Sequence, residues 1–220
     1  CERGSTSMCQ ARLRACLRLY LVTDQASLRS RTLTDVVQAA VLGGVTCVQL
    51  REKQANARDF FALATTLMDL LAPHGVPHIV NDRVDIALAC GAHGVHLGQS
   101  DLPVASARKL LPPEVFIGWS VETPADVALA SQLPVDYLGV SPVYATPTKT
   151  DTQTPWGLKG LHDLRPQTPL PLVAIGGIHA GNASEVLAAG ADSLAVVSAI
   201  CSAADPRAAA ATLRSLCDAH

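Results

Sequence analysis

Val48–Lys53 reads VQLREK, a β-favouring apolar run that ends in three adjacent charges. Side chains alternate along an extended chain, so Gln49, Arg51 and Lys53 point to one side and Leu50 and Glu52 to the other. Arg offers a planar fork of donors suited to phosphate, and Lys a compact positive charge. The same charges would also suit a solvated loop paired through Glu52. Other apolar runs end in polar groups too. PHIVND closes on Asn81 and Asp82, and GQSDLP carries Asp101. Carboxylates at two neighbouring strand ends could share Mg2+, which keeps several waters and bridges to phosphate oxygens. Each could instead cap the helix that follows, Asp101 before Pro103 especially. Asp85, early in the next helix, favours its dipole.

Further along, SPVYATPTKTD places Thr146, Thr148 and Lys149 in a Pro-punctuated segment, either an active-site flap or a polar surface loop. Gly176 and Gly177 in AIGGIHAGN leave backbone amides bare, and Val197 and Ser198 close another apolar run. Such amides and helix N-termini hold phosphate, although tight turns use Gly pairs as well. His93 and His96 share only the spacing of a metal pair and read as structural. His179 lies where it could approach a ligand. No GxSxG, HExxH or P-loop occurs, and no nucleophile is evident. Cations and acidic pairs without a nucleophile suit departure of a diphosphate, whose developing charge they stabilise.

Apolar runs at 17–24, 46–52, 77–82, 94–99, 116–120, 136–142, 171–177 and 193–199 must position these groups. They are nearly continuous in apolar residues, as in strands covered on both faces. Ala/Leu-rich segments with helical spacing lie between them at 33–42, 57–72, 83–90, 103–110, 124–132, 181–189 and 205–218, with a shorter helix after Leu158. LGGVTCVQL, ACGAHGVHL and AAGADSLAV repeat one phrase, a helix ended by Gly and a strand entered after a short polar turn. Eight strand–helix units without a Pro/Gly/Ser-rich linker predict a single-domain (β/α)8 TIM barrel, with a doubly wound open sheet as the rival. In a barrel the strand ends share one rim, and the loops there carry the chemistry.

Composition agrees with a chain that can fill a substantial core. Hydrophobic residues make up 49% of the 220 positions and charged ones 16%, with mean hydropathy +0.25. Aromatics are only 4%, so Ala, Val, Leu and Ile must build the core. A net charge of -2 gives no reason to expect nucleic acid, and no apolar run reaches the length of a membrane span. Seven cysteines without CxxC or metal spacing read as reduced thiols, and a cytoplasmic location is expected. Residues 1–10 read as an expression remnant or flexible N-terminus, and 11–220 as the catalytic domain.

From LYLVTD to VVSAI the chain resembles the thiamine phosphate synthase (thiamine-phosphate pyrophosphorylase) family. VQLREK, NDRVDIALACGAHGVHLGQSDLP, IGWSVET, DYLGVSPVYATPTKTD, GLKGL and VAIGGI carry the resemblance. It implies a Mg2+-dependent transferase of thiamine biosynthesis that joins an aminopyrimidine methyl diphosphate to a thiazole phosphate carboxylate, releasing pyrophosphate and carbon dioxide. It implies that Gln49, Arg51, Lys53, Asn81, Ser120 and Lys149 hold the pyrimidine diphosphate, with Arg51, Lys53, Lys149 and Ser120 catalytic. Asp82 and Asp101 would bind Mg2+, and Thr146, Thr148, Gly177, Val197 and Ser198 the thiazole phosphate. The implied mechanism is dissociative: diphosphate leaves first, and the thiazole nitrogen captures a pyrimidine-stabilised carbocation. Two stretches depart from the family pattern. Glu122 follows Val121 where many relatives carry histidine, and Ser141–Tyr144 stands where they read GPVF; Glu122 is expected to turn outward. The rival readings are a thiazole tautomerase-like paralogue and a non-catalytic phosphate-ligand-binding barrel. Partners are expected to be these small molecules, with no nucleic acid or membrane; homo-oligomerisation is left open.

Overall fold

The structure, a computed structural model, describes residues 12–145 and 154–220. The expected remnant at 1–10 and the flap residues Thr146, Thr148 and Lys149 lie outside the described residues. Eight short strands run β1 Leu19–Val22, β2 Cys47–Leu50, β3 His78–Asn81, β4 Gly94–Leu97, β5 Phe116–Val121, β6 Tyr137–Val140, β7 Leu172–Ile175 and β8 Ser193–Val196. Every neighbouring pair is parallel, and β8 pairs with β1. The sheet is therefore a closed (β/α)8 barrel and not the open doubly wound rival.

Helices α1 Leu33–Leu42, α2 Ala57–Leu71, α3 Val84–Cys90, α4 Val104–Leu110 and α5 Pro124–Ala130 follow the first five strands. α6 Gly157–Leu164, α7 Ala183–Ala188, α8 Ser198–Cys201 and α9 Pro206–Asp218 complete the ring. Local chemistry starts several of them. Thr32, Asn56 and Asp205 each accept a backbone N–H from the third residue of the helix they precede. Thr123 and Asp126 form a reciprocal capping box at α5. The repeated Gly turns behave as expected at Gly91, which caps α3 at φ 70°. After α1 and α7 the positive φ falls one residue further on, at Gly44 and Gly190. The run read as strand through 199 stops at Val196, and its polar end turns into α8.

Strand side chains divide by alternation. Leu19, Leu21, Val48 and Leu50 face the helices and join the outer core, while Tyr20, Val22 and Cys47 fill the barrel interior. Burial on both faces is why the runs are continuously apolar.

The residues just before the even strands close the N-terminal end of the barrel. Thr46 Oγ1 accepts from Leu19 N at 2.9 Å and His93 Nδ1 from His78 N at 3.2 Å. Asp136 Oδ2 accepts from Ile117 N at 2.7 Å and Asp192 Oδ2 from Leu172 N at 2.8 Å. Each therefore satisfies a backbone donor where the preceding odd strand begins. The polar turn of the repeated phrase is a clasp between neighbouring strands.

Candidate active site

Two adjoining cavities, of about 280 and 270 Å3, open at the C-terminal ends of the strands. Gln49, Arg51, Lys53, Asn81, Asp82, Asp101 and Ser120 line the first. Gly177, Val197 and Ser198 line the second. Arg51 and Ser141 belong to both, so one guanidinium stands on the shared wall. Every candidate residue within the described segments comes to this rim, although the residues come from distant parts of the sequence.

The alternation expected along VQLREK holds in space. Gln49 reaches into the cavity, whereas Leu50 is fully buried against the helices. β2 ends at Leu50, so Arg51 and Lys53 extend from the exit loop. Arg51 N donates to Thr23 Oγ1 at 3.1 Å, and its guanidinium lies 3.7 Å from Asp24. Lys53 Nζ lies 2.6 Å from Asp82 Oδ2. Glu52 turns elsewhere; partial burial, and next the charge of Asp24, raise its carboxyl above the ordinary value.

Neither metal-candidate aspartate caps a helix. The position before α3 is Arg83, without a side-chain cap, and the position before α4 is Pro103. Asp82 sits in the left-handed region at φ 63°, which costs a non-glycine residue about 1–2 kcal/mol. Its own N–H donates to His96 O at 2.8 Å. Asp101 Oδ2 accepts from Gly98 N at 2.6 Å and closes the turn after β4. Burial raises the Asp101 carboxyl, and a hydrogen bond with Asp82 raises it further. Two carboxylates so placed disfavour each other's charge until a cation joins them. Asp85 serves the first turn of α3, where its bond from Arg83 lowers its pKa.

Among the described residues no group of three or more His, Cys, Asp or Glu could hold a metal ion. The Asp82–Asp101 pair nevertheless fits Mg2+, which takes one or two carboxylates and completes its shell from water and phosphate oxygens.

Several residues of the site escaped the sequence reading. His96, read as structural, lines the cavity and lies 2.9 Å from Ser120 Oγ through Nε2. Tyr20 and Tyr137 form the cavity floor, with hydroxyls 2.9 Å apart. A Cβ at Gly118 would stand 2.0 Å from the Tyr137 ring, so only glycine leaves it room. That glycine inside the run FIGWS was the available signal. Glu122, where the sequence departs from the family pattern, is among the residues that line the cavity. His179, placed by its sequence position near a ligand, lines the second cavity, with Nδ1 accepting from Gly181 N at 3.1 Å. Asn182 Nδ2 donates to Gly177 O at 3.0 Å and fixes the turn after β7.

The segments flanking 146–153 are anchored. Tyr144 N donates to Gly176 O at 3.0 Å, and Trp156 N to Pro142 O at 2.9 Å.

Fold and rim together define a (β/α)8 barrel with a charged, two-chambered pocket at its C-terminal face. The family model described as thiamine monophosphate synthase matches residues 19–200, and the chain belongs to that family. It is 70% identical over 216 residues to a thiamine-phosphate synthase of Albidiferax ferrireducens, covering 98% of each chain. A thiamine-phosphate synthase of Leptospira biflexa is 51% identical over 200 residues, covering 89% of this chain and 95% of the relative. The solved thiamine phosphate pyrophosphorylase of Pyrococcus furiosus superposes with TM-score 0.86 at 37% identity, covering 94% of this chain and 98% of that one.

Proposed function

We propose that this chain is a thiamine phosphate synthase that joins an aminopyrimidine methyl diphosphate to a thiazole phosphate carboxylate, releasing pyrophosphate and carbon dioxide. The observation that carries the reading is the position of Arg51 on the wall between two cavities, with Lys53, Asp82 and Asp101 gathered on one side. The first cavity takes the pyrimidine diphosphate, held by Gln49, Arg51, Lys53, Asn81 and Ser120. The second takes the thiazole phosphate against Gly177, Val197 and Ser198. Lys149 joins the diphosphate site, and Thr146 and Thr148 the thiazole phosphate site, on the strength of the family resemblance. Mg2+ on Asp82 and Asp101 would supply further positive charge at the diphosphate.

Departure of the diphosphate is the demanding step, because negative charge accumulates on the leaving oxygens. Arg51 and Lys53 line the cavity and would supply positive charge where that negative charge develops. The chemistry asks for no protein nucleophile. Burial agrees with that: it raises the Cys47 thiol well above its ordinary value and that of Cys201 to about 11. Such thiols stay protonated and inert.

Pyrophosphate release by the purified chain tests the reading. Release should require both substrates and Mg2+ together. Thiazole isomerisation without pyrophosphate would favour the tautomerase reading, and tight binding without turnover the non-catalytic binding barrel; either result would overturn the synthase.

A further inference from the structure

A chain of four hydrogen bonds leaves the first cavity, crosses the barrel interior and returns. Gln49 Nε2 donates to Tyr20 Oη at 2.7 Å, and the Tyr20 and Tyr137 hydroxyls lie 2.9 Å apart. Tyr137 Oη is 3.0 Å from His96 Nδ1, and His96 Nε2 is 2.9 Å from Ser120 Oγ. Gln49 and Ser120, the two ends, line the cavity, and the buried tyrosines between them form its floor. Burial holds both phenols well above their ordinary pKa, so each remains a hydroxyl with one proton to give.

One proton per hydroxyl makes the chain directional. With Gln49 donating to Tyr20, the Tyr20 proton goes to Tyr137 and the Tyr137 proton to His96 Nδ1. An imidazole that accepts at Nδ1 carries its proton on Nε2 and donates to Ser120. Ser120 then turns its own proton toward the cavity, and Gln49 keeps its carbonyl oxygen as an acceptor. Reversing one link alone strands a buried donor or acceptor, so the links reverse together.

We propose that Tyr20, Tyr137 and His96 are positioning residues that set this polarity and thereby make the pocket select an amino- over an oxo-pyrimidine ring. The inference rests on the function proposed above. An aminopyrimidine edge carries a ring nitrogen that accepts and an amino group that donates, matching a Ser120 donor and a Gln49 acceptor. The oxo analogue carries the opposite pair, a ring N–H and a carbonyl. Without reversal of the links it can bond only through the second Nε2 hydrogen of Gln49 and a second lone pair of Ser120, which leaves the Gln49 carbonyl and the Ser120 proton unpaired against it, whereas the amino ring satisfies both.

The test compares amino- and oxo-pyrimidine methyl diphosphates as substrates of the full chain at saturating thiazole phosphate. Tyr20→Phe and Tyr137→Phe interrupt the chain at its buried hydroxyls while keeping the rings. In either variant the amino-to-oxo ratio of kcat/KM should fall at least about tenfold, or about 1.4 kcal/mol. The KM for thiazole phosphate should change less than about twofold, a small fraction of that effect. An unchanged ratio, with both substrates slowed alike, would reduce the phenols to packing and overturn the proposal. Nitrogen NMR of the wild-type histidines gives a second readout that does not depend on those variants folding, with His96 assigned by signal loss in His96→Gln. The Nε2-protonated tautomer with the amino substrate bound supports the proposal; the Nδ1-protonated tautomer contradicts it. A wild-type chain that releases no pyrophosphate from the amino substrate would defeat the functional reading and this inference with it, whereas an active wild type with an unchanged ratio defeats only the inference.

Discussion

The two ends of the barrel hold their carboxylates in opposite ways. At the N-terminal end Asp192 accepts from Leu172 N, meets Arg165 at 2.6 Å and also pairs with Arg14. Asp136 accepts from Ile117 N and lies 3.8 Å from Arg108. Each carboxylate there meets a backbone donor and at least one arginine. At the C-terminal rim Asp82 and Asp101 are set against each other, and Lys53 is the cation that bonds to Asp82. The same residue type therefore serves stability at one end and leaves the other prepared for a cation or a charged ligand. What faces the carboxylate decides which, and mismatched charge in a cleft marks a functional site more than matched charge does.

The largest expected effect sharpens the rim side of this comparison. Arg51→Met should lower kcat/KM for the pyrimidine diphosphate roughly 100- to 1,000-fold, as loss of one charge-stabilising donor does elsewhere. Its unfolding midpoint in urea should remain close to wild type, because the partner Asp24 is 3.7 Å away and makes a loose pair.

The next effect belongs to the opposite end. His78 is fully buried at the start of β3, with no hydrogen-bond partner for either ring nitrogen among the described residues, and burial, then the neighbouring His93, lowers its pKa to about 4. The folded state thus favours neutral imidazole. Its stabilising contribution is complete above the unfolded pKa near 6.5 and is lost as pH falls from there through about 4, by about 3 kcal/mol at most. Urea unfolding across that window should show the slope, and His78→Leu should flatten it. An equally steep slope in the variant would place the pH sensitivity elsewhere.

A smaller effect tests the clasp itself. Asp192→Asn should cost about 1–2 kcal/mol of stability, since the charged bonds are lost while Leu172 N keeps an oxygen acceptor. Its kcat/KM should stay within about twofold of wild type, because a partly exposed ion pair at the far end has no electrostatic reach to the rim. Lost activity at full stability would break the division between the two ends.

Much of the barrel was legible because its physical cause is local. Continuous apolar runs follow from strands buried on both faces, and the turn glycines of the repeated phrase follow from backbone geometry. The rim was legible where a charge interrupts an apolar run, as at Arg51, Lys53, Asp82 and Asp101. Tyr20, Tyr137 and His96 were harder. They lie within the runs, and only the phase of alternation, which an all-apolar strand conceals, says whether a side chain enters the barrel or meets a helix. The clasp was hidden for another reason: Thr46, His93, Asp136 and Asp192 are of three residue types and share only their register. Helix capping was a sound local expectation for Asp82 and Asp101, but Asp82 meets Lys53 from the neighbouring strand end, and Asp101 closes its own turn through Gly98 N.

The central claim is that charge converging at the C-terminal rim drives the reaction and that the barrel stands without it. The most direct measurement is kcat/KM for the pyrimidine diphosphate in Arg51→Met, made on protein whose urea midpoint matches wild type. The account predicts a loss of roughly 100-fold or more. Turnover within a few-fold of wild type would contradict it.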